Sequence, residues 1–348
     1  MVNRFILLRT TSINGIEKAS LLNKAASSSC VLRLHTTIIE NSSSDVNEKR
    51  KNRSGYGRQQ GYVDFGYHPA CIYCSQRQCR ITSIDLFFHL GIGRAICQHL
   101  LYKYDEVFVV LASRDKTRGI QAATQIEAEL GGPVVDGRLE VVEMDTSNDE
   151  SVSKAAEEIA ARHPTIYGIV NNAGILGSDA EEAMNVNFWG PRRVNDALSG
   201  LLQRPGGRIV NIASASGPNF LSSLENKDLK NKLSKPWLIE GGATELDEMA
   251  KAVVDNDAGY FPYGMSKAFL NAYTKLHARQ EPSLVINSVT PGFIASDMGK
   301  ALGATKDVSH GAVPPVYCLM SEELDKVPTG RYYGSDCKRS PVDVYRGP

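Results

Sequence analysis

The sequence predicts an α/β fold in which helices cover both faces of a doubly wound, largely parallel sheet. Three short apolar segments support this prediction, because each has the pattern of a buried strand and ends in small or polar residues. They are Gly207–Ala213, Leu284–Val289 and the segment that runs into Asn171. Helical patterns separate them, and strands that alternate with helices are typical of parallel sheets. Ligands of such sheets bind beyond the carboxyl ends of the strands.

The charge and composition exclude several classes of function. The 348 residues include 39 basic and 39 acidic ones, so nothing indicates nucleic acid or an anionic membrane as a partner. No run of 18 apolar residues predicts a membrane span. Seven Cys are present, and Cys97, Cys318 and Cys337 are too scattered to indicate a disulfide framework. A reducing, cytoplasmic location is therefore favoured.

Residues 1–80 are predicted to be an N-terminal extension of low order. Residues 1–45 are basic, Ser-rich and poor in acids, which suits either a mitochondrial transit peptide or an unstructured tail. Cys71, Cys74 and Cys79 raise the possibility of zinc, but the spacing of a second ligand pair is absent. Free thiols in a linker are favoured, and no metal is predicted.

The next elements alternate in order along the chain. A helix is expected over about 92–103, opened by Gly91, Ile92 and Gly93, which would let its N-terminus approach a pyrophosphate closely. A strand follows over 106–112 and ends at Ser113 and Arg114. Further helices are expected over about 116–130 and 149–162, with a strand between them that ends at Asp145.

One helix carries the pair with the clearest chemistry. Tyr263 and Lys267 are four residues apart, so they lie one turn apart on the same helical face. A free Tyr titrates near pH ~10, and a neighbouring cation favours the phenolate and moves the acid toward neutral pH. The alternative is a half-buried Tyr that covers the stem of a Lys.

Five segments, in this order, resemble the motifs of the short-chain dehydrogenase/reductase family over about residues 91–340. They are Asn171–Gly174, Met184–Gly190, Ser214–Gly217, the Tyr263/Lys267 helix and Thr290–Gly292. The resemblance implies a single Rossmann-type domain with a seven-stranded sheet. It also implies NADP(H)-dependent reduction of a ketone, aldehyde or quinone. In relatives the Tyr is the proton donor, and the Lys binds the nicotinamide ribose and lowers the pKa of the Tyr.

The same resemblance gives roles to other residues. Ser214 would hydrogen-bond the substrate carbonyl, with Ser216 as its rival and a turn-forming Ser as the alternative for each. Asn187 would hold a relay water, or else face solvent as an ordinary mid-helix Asn. Arg114, in place of an acid, favours the 2′-phosphate of NADP. Asp145 would contact adenine, or cap the following helix, with Thr146 and Ser147 as rival caps. The remaining cofactor contacts are expected from Gly91, Ile92, Gly93, Asn172, Ala173, Gly174, Pro291, Gly292, Ile294 and Ser296.

The chain departs from the family pattern at its first strand and glycine turn. Leu86 and Phe87 stand where the family has Thr-Gly, and Phe does not readily adopt a turn that Gly makes. Ile81–Asp85 is a poor central strand because Asp85 would be buried, and Phe5–Leu8 is a distant substitute. Two explanations stay open: a wrongly assembled start, or a real protein with an impaired phosphate site. The second leads to the alternative function, a non-catalytic family member.

A long insertion sits within the predicted catalytic domain, residues 81–348. It covers residues 220–258 and contains an amphipathic helical pattern over Glu245–Val254. In this respect the chain resembles the monomeric carbonyl reductases and the plant menthone and salutaridine reductases. In that branch the inserted helices cover the surface that other members use to dimerise, so a monomer that acts on a small carbonyl compound is predicted.

Overall fold

The computed structural model describes residues 80–84, 91–131, 135, 137–256 and 259–340, and only the backbone for 80–84. All of them belong to one compact unit, Ala70–Pro348. The predictions for the N-terminal extension, for Cys71, Cys74 and Cys79, and for Leu86 and Phe87 fall outside the described residues.

Seven parallel strands form the sheet in the order β3-β2-β1-β4-β5-β6-β7, so the predicted doubly wound topology is confirmed. The strands are β1 Arg80–Ile84, β2 Phe108–Ser113, β3 Leu139–Glu143, β4 Gly168–Asn171, β5 Arg208–Ile212, β6 Val285–Val289 and β7 Tyr332–Tyr333. The chain order reverses between β1 and β4. Ligands of open α/β sheets bind at such a switch point, beyond the strands' carboxyl ends.

The segment that forms the first strand differs from the expectation. Arg80–Ile84 occupies the central position, with Ile81 paired to Val109 of β2 on one side and to Gly168 of β4 on the other. Backbone hydrogen bonds to two neighbouring strands therefore hold this segment at the centre of the sheet, although its polar composition argued against that position. The distant substitute at Phe5–Leu8, and Asp85, lie outside the described part of the chain.

Helices pack on both faces because alternate residues of each strand point to opposite sides. Val109 and Leu111 of β2 join the core on one face, and Val110 and Ala112 join the core on the other. The helices are α1 Ile92–Lys103, α2 Lys116–Leu130, α3 Asp149–Arg162, α4 Ala180–Met184, α5 Gly190–Leu198, α6 Ser216–Ser223, α7 Lys227–Ser234, α8 Gly242–Asp255, α9 Pro262–Gln280, α10 Asp297–Ala301 and α11 Val308–Met320.

The insertion folds over the outer side of α9. The predicted amphipathic helix is α8, which buries Leu246 and Ala250. Leu229 and Leu233 of α7 enter the same apolar cluster, which also contains Phe269 of α9. This packing explains why α9 is buried along most of its length although its sequence has little amphipathic pattern.

Candidate active site

The helix α9 holds Tyr263 and Lys267 at the carboxyl edge of the sheet. Pro262 occupies its first turn, where a missing N–H costs nothing. Gly264 lets the helix approach the Ser214 turn, because a Cβ there would lie 3.1 Å from the carbonyl oxygen of Ser216. The Lys267 Nζ lies 5.7 Å from the centre of the Tyr263 ring. The one-turn spacing therefore brings these two side chains together.

Ser214 follows β5 and is hydrogen-bonded to the Tyr263 hydroxyl, which favours the phenolate and acts to lower its pKa. The Ser214 Oγ also accepts a hydrogen bond of 3.2 Å from the backbone N–H of Ser216. Ser216 itself starts α6. Of the two candidate serines, the structure thus joins Ser214 to the phenol, while Ser216 fixes the orientation of Ser214 through its backbone.

Lys267 is only 2% exposed. Its Nζ donates a hydrogen bond of 2.8 Å to the carbonyl oxygen of Ile212, the last residue of β5. Burial disfavours the charged ammonium and lowers the pKa of Lys267 to about 7. An ammonium with this pKa changes its charge near neutral pH, which few side chains do.

The pKa of Tyr263 differs in sign from expectation. Burial raises it above its ordinary value, and the hydrogen bond from Ser214 offsets only part of that rise. The expected lowering by the Lys267 ammonium does not outweigh the effect of burial. Tyr263 therefore keeps its proton at neutral pH, as a proton donor requires.

Asn187 lies in a π-helical turn, Asn185–Trp189, between α4 and α5. Its Nδ2 donates to the carbonyl oxygen of Ile175 at 2.8 Å and to the Ser266 Oγ at 2.9 Å, and its Oδ1 accepts from the N–H of Ile175 at 2.8 Å. It is fully buried, so the alternative of a solvent-facing Asn is excluded. π-turns occur often at functional sites.

Gly174 lies between the side chains of Asn187 and Lys267. A Cβ on Gly174 would lie 3.3 Å from both the Asn187 Oδ1 and the Lys267 Nζ. The amide and the ammonium therefore face the same small space, which any side chain at position 174 would fill. Asn172 and Ala173 precede it at the end of β4, with Ala173 buried and Asn172 half-buried.

The residues expected at the adenosine end lie along the same edge. Arg114 follows β2 directly and is exposed. Asp145 follows β3, and its Oδ1 accepts hydrogen bonds from the N–H and Oγ of Ser147 at 2.9 and 2.6 Å. Neither Asp145 nor its two predicted rivals caps α3. The cap is Asn148, which accepts from the N–H of Ser151 at 2.8 Å.

The nicotinamide end is built from the segment after β6. Pro291 is buried, and Gly292 has a φ of +93°, a conformation that favours glycine. Ile294 is buried. A Cβ on Gly311 would lie 3.0 Å from Ile294 and 3.2 Å from Ile92, so these two side chains converge.

Ile92 opens α1, whose N-cap is Gly91 and which buries Gly93 in its first turn. The start of the glycine helix therefore lies beside the Pro291–Ile294 segment, as the predicted roles require. Ser296 has a structural function that the sequence interpretation missed. Its Oγ caps α10 by accepting a hydrogen bond of 3.3 Å from the N–H of Gly299.

A half-buried set of contacts next to the Asn187 turn was also missed. The Trp189 Nε1 donates to the Asp247 Oδ1 of α8 at 3.1 Å, and Arg192 forms an ion pair with the same carboxylate. The guanidinium of Arg192 also lies 5.3 Å from the ring centre of Tyr273 on α9. The only sequence signal was an acidic residue within an otherwise apolar stripe of the insertion helix.

Within the residues that the structure describes, no group of three or more His, Cys, Asp or Glu is placed to hold a metal ion. In the same part of the chain, no helix combines the length and the apolar character that crossing a bilayer requires.

Comparisons with known proteins identify the family of the chain. The short chain dehydrogenase family matches residues 89–224. Carbonyl reductase (NADPH) 3 of Rattus norvegicus is 31% identical over 255 residues, which cover 66% of this chain and 87% of the rat protein. The (+)-neomenthol dehydrogenase of Arabidopsis thaliana is 28% identical over 285 residues, which cover 70% and 92% of the two chains.

Among solved structures, menthone neomenthol reductase from Mentha piperita matches with a TM-score of 0.60 and 25% identity, over 74% of this chain and 99% of that one. The chain therefore belongs to the short chain dehydrogenase family, a class of oxidoreductases that use a nicotinamide cofactor. Its relatives include an enzyme named as a carbonyl reductase and one named as an isopiperitenone reductase.

Proposed function

We propose that this chain reduces a ketone, aldehyde or quinone carbonyl to an alcohol with NADPH, and that Tyr263 is the proton donor. The observation that carries the proposal is the contact of three groups: the Tyr263 phenol, the Ser214 hydroxyl bonded to it, and the buried Lys267 beside its ring. Burial of an ionisable Lys destabilises the fold, and a cluster with a purely structural role would gain nothing that offsets this destabilisation.

The residues of the chain divide the work as follows. Ser214 donates a hydrogen bond to the carbonyl oxygen, where negative charge develops, and thereby stabilises the transition state. Tyr263 gives its proton to that oxygen. Lys267 and Asn187 restore the proton through the small space beside Gly174, where the Asn187 Oδ1 has a second lone pair to offer a water molecule. A monomer remains our prediction.

The cofactor fits the residues that surround this site. When bound, it supplies the hydride that adds to the carbonyl carbon. Gly174 leaves open a space that a Cβ would fill, and the Asn172–Gly174 turn offers small residues for close approach. Gly91, Ile92 and Gly93 would present the N-terminus of α1 to a pyrophosphate, and Ser296 is a further proposed contact of the same group. Asp145 would meet adenine, and Pro291, Gly292 and Ile294 would hold the nicotinamide.

Arg114 is proposed to select NADPH over NADH. It lies directly after β2, where a guanidinium can bind the 2′-phosphate through charge-assisted hydrogen bonds. We expect Arg114→Glu to weaken NADPH binding by about 10- to 100-fold, the usual value of a hydrogen bond to a charged group, and NADH binding far less. Titration of the purified chain with each dinucleotide, followed by nicotinamide fluorescence, measures both constants.

Lys326→Glu is the matched control, because it makes the same charge change at an exposed position beyond the far end of α11. Equal losses in the two variants would refute the role of Arg114. If the unaltered chain does not bind NADPH at millimolar concentration, the alternative function is favoured: a non-catalytic family member whose Leu86 and Phe87 impair the phosphate site.

A further inference from the structure

One side chain of the insertion reaches the turn that carries Asn187. Asp247 lies on α8, and its Oδ1 accepts a hydrogen bond of 3.1 Å from the Nε1 of Trp189, the last residue of the π-helical turn. Asp247 also forms an ion pair with Arg192 of α5, the helix that follows the turn. Asp247 and its two partners are half-buried, so water competes less for these contacts. One carboxylate therefore joins the insertion to the turn and to the helix after it.

The opposite end of the turn is held by a different cation. The Arg193 Nη1 donates hydrogen bonds of 3.2 Å to two carbonyl oxygens, those of Thr146 and of Asn185, the first residue of the turn. Arg193 is itself paired with Asp149 of α3 at 2.6 Å. Side chains therefore hold both the first and the last residue of the turn, and Asn187 lies midway between them.

A π-helical turn depends on contacts of this kind. Such turns are rare, and each holds one residue more than an α-helical turn. Successive residues of an α-helix are rotated by about 100° around the axis. If the turn relaxed to α-helical bonding, Asn187 would therefore rotate away from Ile175 and Ser266, with which its amide forms three hydrogen bonds.

Apolar packing fixes the same turn less specifically. Phe188 is fully buried, and its ring meets the Phe269 ring of α9 with centroids 5.6 Å apart. Burial of apolar surface is non-directional, whereas a hydrogen bond requires a defined distance and angle. The contact of Trp189 with Asp247 therefore fixes the orientation of the turn, which the packing of Phe188 alone does not.

We infer that Asp247 is a positioning residue, which holds the π-helical turn so that the Asn187 amide stays directed at the space it shares with Lys267. This inference rests on the proposed function, in which that amide takes part in the proton relay. The insertion covers α9, and through Asp247 it also contributes to the rate at which the proton of Tyr263 is restored.

Hydrogen exchange tests the position of Asn187 directly, because the Ile175 N–H donates to the Asn187 Oδ1 at 2.8 Å. We expect Asp247→Ala to speed exchange of the Ile175 amide by about tenfold relative to the amide of Ile169, a fully buried residue of β4. Measurement of both amides by NMR separates a local change from a loss of global stability. Trp189→Phe removes the donor, keeps an aromatic ring and should act in the same direction.

Glu248→Ala is the matched control, because it removes an exposed carboxylate from the next position of α8. Its exchange ratio and its activity should equal those of the unaltered chain. Asp247→Asn keeps an oxygen that accepts from the Trp189 Nε1, so it should restore most of the slow exchange of the Ile175 amide. Thermal melting of each variant shows whether it is folded.

Steady-state kinetics test the consequence for the relay. With NADPH and 3-methylcyclohexanone, we expect Asp247→Ala to lower kcat by about three- to tenfold, the usual net value of a hydrogen bond, with NADPH affinity nearly unchanged. The solvent deuterium isotope effect on kcat should rise, because a slower relay makes proton transfer limit turnover. A loss of packing alone would lower kcat without raising that isotope effect.

Three results would overturn the inference. They are an unchanged exchange ratio in both folded variants, Asp247→Ala and Trp189→Phe, an equal change in Glu248→Ala, or a lower kcat without a rise in the isotope effect. If the unaltered chain reduces no carbonyl compound, the proposed function fails, while the exchange ratio still decides whether Asp247 positions Asn187.

Discussion

Tyr263→Phe is expected to lower kcat for carbonyl reduction by roughly 10²–10⁴-fold, the usual contribution of a positioned proton donor. The ring, its packing and its contact with Lys267 remain, while the hydroxyl that bonds Ser214 is lost. Because the loss falls on the transition state, kcat and kcat/KM should decrease together and NADPH affinity should change little. NADPH consumption followed at 340 nm measures the effect.

Tyr317→Phe is a suitable control, because the Tyr317 hydroxyl of α11 donates to the carboxylate of Glu323 at 3.2 Å, and neither residue belongs to the proposed site. We expect nearly full activity from that variant. An undiminished rate for Tyr263→Phe would show that another group donates the proton, and the assignment of the active site would have to be abandoned.

Lys267→Met is expected to lower kcat/KM by about 10²–10³-fold, as for the loss of one group that stabilises transition-state charge. Cofactor affinity should also fall, because the ammonium is proposed to bind the nicotinamide ribose. Lys275→Met removes a Lys two turns further along the same helix, where it donates to Ser234, and is expected to retain activity. Similar losses in both variants would show that α9 is merely sensitive to substitution.

The Lys267→Met variant should also differ from the unaltered chain in its free energy of unfolding. Lys267 has a pKa of about 7 in the folded chain and about 10.4 when unfolded, so the unfolded state binds more protons between these values. Burial of the ammonium therefore destabilises the folded state to its full extent below pH 7. This destabilisation disappears as the pH rises through this window. Lys267→Met should be more stable than the unaltered chain at pH 7, and this advantage should shrink by pH 10. Denaturant unfolding at several pH values, without cofactor, measures it, and a pH-independent difference would contradict the buried charge.

The sequence predicted the elements whose patterns are local. The bounds expected for α1, α2 and α3 match the structure because amphipathic periodicity extends over their whole length. The first strand was harder, since Arg80–Ile84 owes its central position to pairing with β2 and β4 rather than to its own composition. The N-cap of α3 could not be predicted from the sequence for a similar reason. Four consecutive residues have side chains that can cap it, and the backbone conformation determines that Asn148 does so.

The candidate site was predicted as a set of residues, but its electrostatics depend on burial, which spacing does not reveal. Tyr263 and Lys267 could be paired from their positions alone, whereas the sign of the Tyr263 pKa shift follows from the burial of the phenol in the folded chain. Asp247 and Arg192 were missed for the same reason, because their contact joins segments that lie 55 residues apart.

The most direct test of the proposed reaction uses NADPH that carries deuterium at both C4 positions, with 3-methylcyclohexanone as the substrate. If the chain acts as proposed, mass spectrometry will find one deuterium on the carbinol carbon of the alcohol, and Tyr263→Phe will form that product far more slowly. An alcohol without deuterium, or no alcohol and no NADPH binding at millimolar concentration, would contradict it.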